Sequence, residues 1–257
     1  YRLALCWSEP QTAEQFAEYC REKMHNEWNG KRILLVLNTR RSARELRDAL
    51  EEHIDCSTPL FFLSADVIPR ERLQAIDRIK EGNPCVVVST QCIEAGVDID
   101  MDLVIRDFAP LDSIIQVAGR CNRRGFRARG TVRVVRIEDT NGRLFCRYVY
   151  DSILLDATAS VLGNAAALNE EHILPVLTAY FAQLAERKDC GRKVAEDWAR
   201  WRTEVDVRGL LRGETSKNEF VVASQDEPGP GELPLREAVL QALEIEDRWE
   251  RRRAIRG

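Results

Sequence analysis

The sequence lacks most of the features that mark membrane, disulfide-rich and metal-binding proteins. No apolar run approaches the roughly 20 residues that cross a bilayer as a helix, so we predict no membrane partner. None of the eight cysteines forms a Cys-x-x-Cys pair, and the three histidines have no ligand-like spacing to them. We therefore predict reduced, buried thiols, no metal site and a cytoplasmic location. The N-terminus has no signal peptide and no initiating Met, which we interpret as a piece of a longer protein.

Other absences limit the chemistry that the chain could perform alone. It contains no Gly-x-x-x-x-Gly-Lys-[Ser/Thr] loop to bind phosphates and no Asp-Glu-x-His box to hold magnesium. No histidine is followed by aspartate, so no His-Asp pair is available for a nuclease centre. Asp98, Asp100 and Asp102 alternate and would share one face of a strand, but no further ligands accompany them.

Charge is unevenly distributed along the chain. The formal net charge is −4, yet seven arginines fall within residues 120–136, whereas residues 226–232 are acidic and rich in Pro and Gly. A local basic stripe on a mildly acidic protein fits a groove that contacts phosphates at a few points. It fits a solvated surface equally well.

Short apolar runs alternate with amphipathic helical periods from residue 31 onwards. The predicted strands are 33–37, 60–63, 85–88, 103–105 and 132–135, and the predicted helices are 12–28, 42–50, 69–80 and 112–119. Strands that are apolar throughout and separated by helices indicate a parallel sheet covered on both faces. We predict an α/β domain over residues 1–140, with an N-terminal strand and helix in 1–29.

The pattern changes after Asn141-Gly142, a turn signal. Helices are predicted over 150–162, 170–187, 193–202 and 235–253, a strand over 220–223 and a linker near 226–234. Pro175 is expected to kink or break the second of these helices. Residues 141–257 are therefore predicted to form a mainly helical C-terminal accessory region.

Two polar stretches carry the candidate chemistry. Residues 89–100 (STQCIEAGVDID) follow a buried strand, so they emerge at its carboxyl end, where parallel sheets bind ligands. Thr90 could contact phosphate, Gly96 could allow close backbone approach, and Asp98 could accept a bond from a sugar hydroxyl. The alternative is an ordinary loop in which Thr90 caps a helix and the carboxylates are solvated.

The second stretch is QVAGRCNRRG over residues 116–125. Arg120 and Arg123 are three apart on a helix end, and their planar guanidinium groups suit the terminal oxygens of a triphosphate. Such groups stabilise the charge that develops in phosphoryl transfer. The alternative is a surface arginine cluster, or one that binds a nucleic-acid backbone without catalysis.

Together the two stretches resemble motifs V and VI of superfamily 2 helicases. Their wording, STQCIEAGVDID followed by DLVIRDFAPLDSIIQVAGRCNRRG, is most similar to the helicase portion of the type I CRISPR-associated helicase-nuclease. Upstream, LLVLNTRRSARELRDAL resembles the motif IV strand and helix of that family. The resemblance covers roughly residues 31–136 and implies a RecA-like parallel sheet with helices on both faces.

On the nucleotide side, the resemblance assigns roles to five residues. Arg120 and Arg123 match the arginines that reach the ATP γ-phosphate across a cleft between two domains. Gln116 matches the residue that couples the nucleotide to the cleft, and Asp98 with Gly96 matches the part of motif V near the ribose. Val117 departs from the pattern, because the family usually has arginine there.

On the nucleic-acid side, the resemblance assigns Asn38, Thr39 and Arg40 to the loop that touches the single strand. Thr90 matches the hydroxyl near the nucleic-acid backbone. Ser64 departs from the pattern, because histidine is common at this position.

The resemblance implies the C-terminal motor half of an ATP-dependent single-stranded-DNA translocase or helicase of CRISPR antiviral defence. Its expected partners are the first RecA-like domain and the nuclease domain of the same enzyme, single-stranded DNA and the CRISPR effector complex. The first RecA-like domain would supply the phosphate loop and hold Mg²⁺, so we expect the isolated chain to be inactive. The alternatives are an RNA helicase domain of the same superfamily and a non-catalytic split or truncated module. A nuclease domain is a weaker alternative.

Overall fold

The apolar runs form strands that the rest of the molecule is built around. They are β1 (Arg2–Leu5), β2 (Arg32–Val36), β3 (Leu60–Leu63), β4 (Cys85–Ser89), β5 (Leu103–Asp107), β6 (Thr131–Val135) and β7 (Ala167–Asn169). They make one seven-stranded sheet in the order β3-β4-β2-β5-β6-β1-β7. Every pairing is parallel except that of β7, which runs antiparallel to β1 at the edge.

The structure is a computed structural model that describes residues 2–5, 9–53, 58–94, 96–125, 130–163, 167–187, 192–200, 241 and 244. Contacts between Cα atoms divide the chain into two units, Tyr1–Arg192 and Lys193–Gly257. The strand predicted over 220–223, the linker near 226–234 and nearly all of the helix predicted over 235–253 lie outside the described residues.

Within the residues that the structure describes, seven α-helices accompany the strands. They are α1 (Ala13–Asn26), α2 (Arg40–His53), α3 (Pro69–Lys80), α4 (Leu111–Ala118), α5 (Ser152–Leu162), α6 (Ile173–Arg187) and α7 (Arg192–Ala199). Except for α7, which lies almost wholly in the second unit, they cover the sheet. None of the helices in the described part of the chain is long and apolar enough to cross a membrane.

Successive strand residues face opposite sides of the sheet, and each side has its own core. On one side, Ile33 and Leu35 pack with Phe16 of α1 and Leu46 of α2. On the other, Leu34 packs in the core that α3, α4, α5 and α6 complete. Because side chains alternate between two buried faces, every residue of β4 and β5 is buried, which confirms the predicted RecA-like α/β sheet.

Helix boundaries follow local chemistry that is visible in the sequence. Thr12 and Gln15 form a reciprocal capping box that begins α1. Pro175 is the third residue of α6 and does not interrupt it, since the first turn of a helix needs no N–H from proline. The predicted break instead falls ahead of it, where a 3-10 turn over Glu170–His172 precedes α6.

The segment after residue 141 is tightly joined to the sheet. It contributes β7 to the edge, and α5 and α6 pack against α4 in the first unit. At the start of α4, a hydrogen bond joins this segment to the preceding part of the sheet domain. The N-cap residue of α4, Pro110, supplies no side-chain acceptor. Thr158 of α5 takes this role: its hydroxyl accepts from the backbone N–H of Leu111 at 3.0 Å and donates to the carbonyl of Leu154 at 2.8 Å.

Replacing this hydroxyl should destabilise the protein measurably. We expect Thr158→Val to lower the free energy of unfolding by about 1–3 kcal/mol, because the buried N–H of Leu111 loses its acceptor. Urea-induced unfolding followed by circular dichroism would measure the change. Thr178→Val is the matched control, because Thr178 donates to Leu174 in the same way but is exposed on α6. Equal midpoints for the two variants would contradict the assignment.

Candidate functional site

The loop after β4 starts at the carboxyl edge of the sheet and returns to the opposite edge, where β5 begins. Ser89, the last residue of β4, donates to the carbonyl of Leu63 at 2.8 Å, and a 3-10 turn over Gln91–Ile93 follows. Gly96 has φ +77° and is exposed, with no atom within 4 Å of the position a Cβ would take. The backbone at Gly96 is therefore open to an approaching group, and its positive φ favours glycine.

Arg120 lies just beyond the end of α4 and holds this loop in place. Its Nε donates to the carbonyl of Ile93 at 3.1 Å and its Nη2 to the carbonyl of Glu94 at 2.7 Å. The residue is buried, and burial, followed by repulsion from Arg123, lowers the pKa of the guanidinium. Because an arginine guanidinium stays charged at neutral pH and its bonds here go to neutral carbonyls, Arg120 can still attract an anionic group.

Arg123 fastens the far end of the same loop. Its backbone N–H donates to Asp100 at 2.6 Å, and its Nε forms an ion pair with Asp98 at 2.9 Å. The backbone of Met101 pairs with that of Cys121 between these contacts. The stretch that carries the arginines and the stretch that carries the carboxylates are therefore joined into one structural unit. Within it, the guanidinium of Arg123 stays half-exposed.

Gln116 lies on α4, one turn before Arg120, and faces a different space. It lines a cavity of about 800 Å³ at the carboxyl edge of the sheet, together with the loop after β2. The cavity is lined by Asn38, Thr39, Arg40, Gln91, Glu94, Pro110, Asp112, Ser113, Gln116, Val149, Tyr150, Leu154, Tyr180, Phe181 and Leu184. Gln116 and the three residues predicted to touch nucleic acid in this loop are thus brought together, whereas Gly96, Asp98, Arg120 and Arg123 line no part of this cavity.

The residues predicted to contact nucleic acid differ in accessibility. Arg40 is exposed and pairs with Asp66 at 2.8 Å, and the hydroxyl of Thr39 accepts from the N–H of Ser42 at the start of α2. Asn38 and Thr90 are buried. Contact with a nucleic acid remains a prediction for all four, and Arg40 is the member whose charge is accessible in the present conformation.

The most extensively bonded side chain here, Arg106, was not among the candidates. It is fully buried at the carboxyl end of β5. Its Nη1 donates to Asn38 Oδ1 at 2.7 Å and to the carbonyl of Val36 at 3.3 Å. Asn38 in turn donates to Asp107 at 2.6 Å. In the sequence, the charged pair Arg106-Asp107 at the end of an otherwise apolar strand could have identified this residue.

The other nitrogen of Arg106 reaches three further elements. Its Nη2 donates to the hydroxyl of Ser113 on α4 at 2.9 Å, to that of Tyr150 at 3.0 Å and to Glu94 at 3.2 Å. Ser113 also donates to Glu94 at 2.6 Å, and Gln91 donates to Tyr150 at 3.2 Å. A single buried network thus joins the loops after β2 and β4, the start of α4 and the segment before α5.

The carboxylates near this network do not form a metal centre. Asp98 is exposed, Asp100 is buried against the N–H of Arg123, and Asp102 accepts from the N–H of Arg32 at 2.8 Å. They do not share one face of a strand as the alternating pattern suggested. Within the described ranges, no group of three or more His, Cys, Asp or Glu residues could hold a metal ion.

The fold and the site together define a class of protein. A RecA-like parallel sheet, whose β4 loop is bound by the arginines that follow α4, is the arrangement expected of the second RecA-like domain of a superfamily 2 helicase. Residues 29–125 match the family model described as "CRISPR-associated nuclease/helicase Cas3, C-terminal", so this part of the chain is similar to that family.

Individual relatives agree with the family match. The CRISPR-associated nuclease/helicase Cas3 of Methanothermobacter thermautotrophicus is 32% identical over 146 residues, which are 54% of this chain and 17% of the relative. The crystal structure of T. fusca Cas3-ATP is similar with a TM-score of 0.60 at 22% identity, over 89% of this chain and 30% of that one. A chain of a CRISPR RNA-guided surveillance complex, pre-nicking, gives a TM-score of 0.52 at 24% identity, over 82% and 28%. The two structural similarities show the fold.

The buried carboxyl of Asp107 should make stability depend on pH. Burial raises its pKa to about 7, against the lowering influence of Arg106 and of bonds from Ile137, Phe108 and Asn38. The folded state therefore holds a proton that the unfolded chain, with a pKa of about 3.9, has already released. The resulting stabilisation is complete below about pH 4 and is lost as the pH rises through about 7.

We accordingly expect Asp107→Asn to flatten this part of the pH profile. Unfolding in urea at pH 5 and pH 8 would show a larger loss of unfolding free energy for the wild type than for the variant. Asp77→Asn, on the exposed face of α3, serves as the control and should keep the wild-type slope. Parallel profiles for all three proteins would show that Asp107 is ionised in the folded state throughout.

Proposed function

We propose that this chain is the second motor domain of an ATP-dependent single-stranded-DNA translocase of CRISPR defence. The observation that carries the proposal is that Arg120 and Arg123 bind opposite ends of the β4 loop. Arg120 binds the carbonyls of residues 93 and 94, and Arg123 binds the carboxylates of residues 98 and 100. Any anion that changes the position of these arginines changes the position of the loop as well.

The residues present fit one side of an ATP site. Two neighbouring guanidinium groups, one of them half-exposed, bind a loop whose backbone is open at Gly96, and they suit a phosphate group delivered from a facing domain. ATP would supply a triphosphate whose terminal oxygens these groups neutralise, and the T. fusca relative was solved with ATP. The phosphate loop and the Mg²⁺ ligands would come from the first RecA-like domain.

Coupling to the nucleic acid would run through α4 and the buried network. Helix α4 is only eight residues long, about 12 Å, with Ser113 in its first turn and Arg120 just past its end. Ser113 binds Glu94 and Arg106, which reaches Asn38 in the loop after β2. A shift of the arginine end of α4 would therefore be felt in the cavity at the carboxyl edge.

The single strand would lie along this cavity, with Arg40 and the helix start at Thr39 as its nearest phosphate contacts. RNA in place of DNA is the alternative within the superfamily. Turnover of the complete enzyme with oligodeoxynucleotide and oligoribonucleotide separates the two, and equal or greater stimulation by RNA would favour an RNA helicase.

The remaining partners are proposed from the family. The chain spans only 17% of the length of the Methanothermobacter relative, so the first RecA-like domain, the nuclease domain and the CRISPR effector complex would lie in the rest of such an enzyme or be bound by it. A non-catalytic module is the second candidate, because residues 1–257 contain no phosphate loop. Restoration of ATP turnover when this chain is added to the first RecA-like domain would exclude it.

Loss of either arginine should abolish most ATP turnover. We expect Arg120→Ala and Arg123→Ala, each in the enzyme that joins both RecA-like domains, to lower kcat on the order of a thousandfold. Arg124→Ala is the matched control, since Arg124 is exposed and next in sequence, and its turnover should stay near that of the wild type. ATP hydrolysis with saturating oligodeoxynucleotide is the measurement.

Because Arg120 also binds the β4 loop, its variant needs a check on folding. A thermal unfolding curve within a few degrees of the wild type would assign the lost turnover to the missing guanidinium. Wild-type turnover in both the Arg120 and the Arg123 variants would show that the arginines are not catalytic.

A further inference from the structure

A second cavity, of about 510 Å³, lies next to the first and is rich in arginine. It is lined by Phe108, Arg136, Arg143, Leu144, Cys146, Arg147, Tyr150, Ser152, Leu155, Asp156 and Ala159. Tyr150 lines both cavities, so they are neighbours at the carboxyl edge of the sheet, where β5 and β6 end. None of its three arginines belongs to the motifs that identified the family.

The arginines come from three different parts of the fold. Arg136 directly follows β6, Arg143 precedes the 3-10 turn over Phe145–Tyr148, and Arg147 lies within that turn. Two of them rest on aromatic rings: Arg136 lies 5.8 Å from the ring centre of Phe108 and Arg143 lies 4.2 Å from that of Tyr148. Stacking orders a guanidinium while leaving its N–H edge able to bind an oxyanion in a bidentate manner.

The charge inside this cavity is unbalanced. Three arginines face one carboxylate, that of Asp156, which leaves a formal charge of +2. The nearby Asp139 is occupied by the Tyr148 hydroxyl at 2.6 Å and by the N–H groups of residues 141 and 143. Neither Arg143 nor Arg147 forms an ion pair with another described residue. A concave surface with surplus positive charge concentrates anions.

The start of α5 adds to the positive electrostatic potential of this cavity. Ser152 is the first residue of this 11-residue helix and lines the cavity, so the hydroxyl and the positive end of the helix dipole lie beside the arginines. Asp151 is occupied as the N-cap, accepting from the N–H of Ile153 at 2.9 Å. Arginine side chains, a serine hydroxyl and a helix start are the groups from which proteins build phosphate sites.

We infer that this second cavity binds a backbone phosphate of the single strand. The inference rests on the proposed function, and it extends the strand's path from the first cavity past Tyr150 to Arg143 and Arg147. It assigns to these two arginines an electrostatic contact that is independent of base sequence. Binding through them should therefore be sensitive to salt and insensitive to sequence.

The test uses the purified chain and a fluorescein-labelled oligothymidylate of about 20 nucleotides, with anisotropy read between about 50 and 200 mM salt. Arg143→Ala/Arg147→Ala should weaken binding roughly tenfold at low salt and flatten the slope of log K against log salt by about 0.7, which is the contribution of one neutralised phosphate on a single strand. Arg143→Lys/Arg147→Lys keeps the charges and should retain most of the slope.

The matched control removes two arginines of α3, which packs against the edge strand β3, away from the ends of β5 and β6. Arg72→Ala/Arg78→Ala on α3 deletes the same charge, and Arg78 likewise rests on a ring, that of Phe61 at 5.2 Å. This variant should bind like the wild type. Equal losses in the two alanine variants would reveal a general charge effect and overturn the site.

Two further outcomes are informative. Wild-type affinity and slope in Arg143→Ala/Arg147→Ala would overturn the inference, even where Arg120→Ala abolishes ATP turnover and so upholds the proposed function. If pyrophosphate raises the Tm of the wild type but not of this variant, while oligothymidylate binding is equal, the cavity holds free phosphate and the assignment to nucleic acid is wrong.

Discussion

The buried guanidinium of Arg106 is the interaction on which the carboxyl edge of the sheet depends. A charged group with no exposure is costly unless its donors are satisfied. Both terminal nitrogens of Arg106 are satisfied by bonding to Asn38, Glu94, Ser113 and Tyr150, while its Nε finds no acceptor among the described residues. Removing one partner of such a buried pair costs about 3–5 kcal/mol, so these elements are held in one arrangement. The positions of the loops that face both cavities follow from this constraint.

A second set of bonds fixes the β4 loop. Arg120 and Arg123 bind residues 93–100 from one side, while Glu94 binds Ser113 and Arg106 from the other. The β4 loop therefore lies between the proposed nucleotide side and the proposed nucleic-acid side, with polar contacts to both. Coupling between two sites is carried by contiguous networks of hydrogen bonds, ion pairs and packed side chains of this kind.

The two cavities share Tyr150, which comes from the segment that follows the motif-bearing sheet. Its hydroxyl accepts from Arg106, and its side chain lines both spaces. The region after residue 141 thus completes the carboxyl edge, supplying Arg143, Arg147 and the aromatic residues of α6 as well. A domain that shares its sheet and motifs with many helicases gains its own surface from such additions.

The chain order of β1 to β6 and of the seven helices, the burial of both sheet faces and the resemblance to a helicase family were determined by the sequence alone, because apolar periodicity and short motifs are local properties. The short edge strand β7 was not predicted. The bounds of α3 were predicted to the residue, and the roles of Arg120 and Arg123, which came from the motif resemblance, stay a prediction. Only the tertiary structure decided that Asn38 is buried and bonded to Arg106, that Asp98 pairs with Arg123, and that Tyr150 lines both cavities. These partners are separated by up to 70 residues in the chain, and which side chains meet across such distances is fixed by packing, which no local pattern encodes.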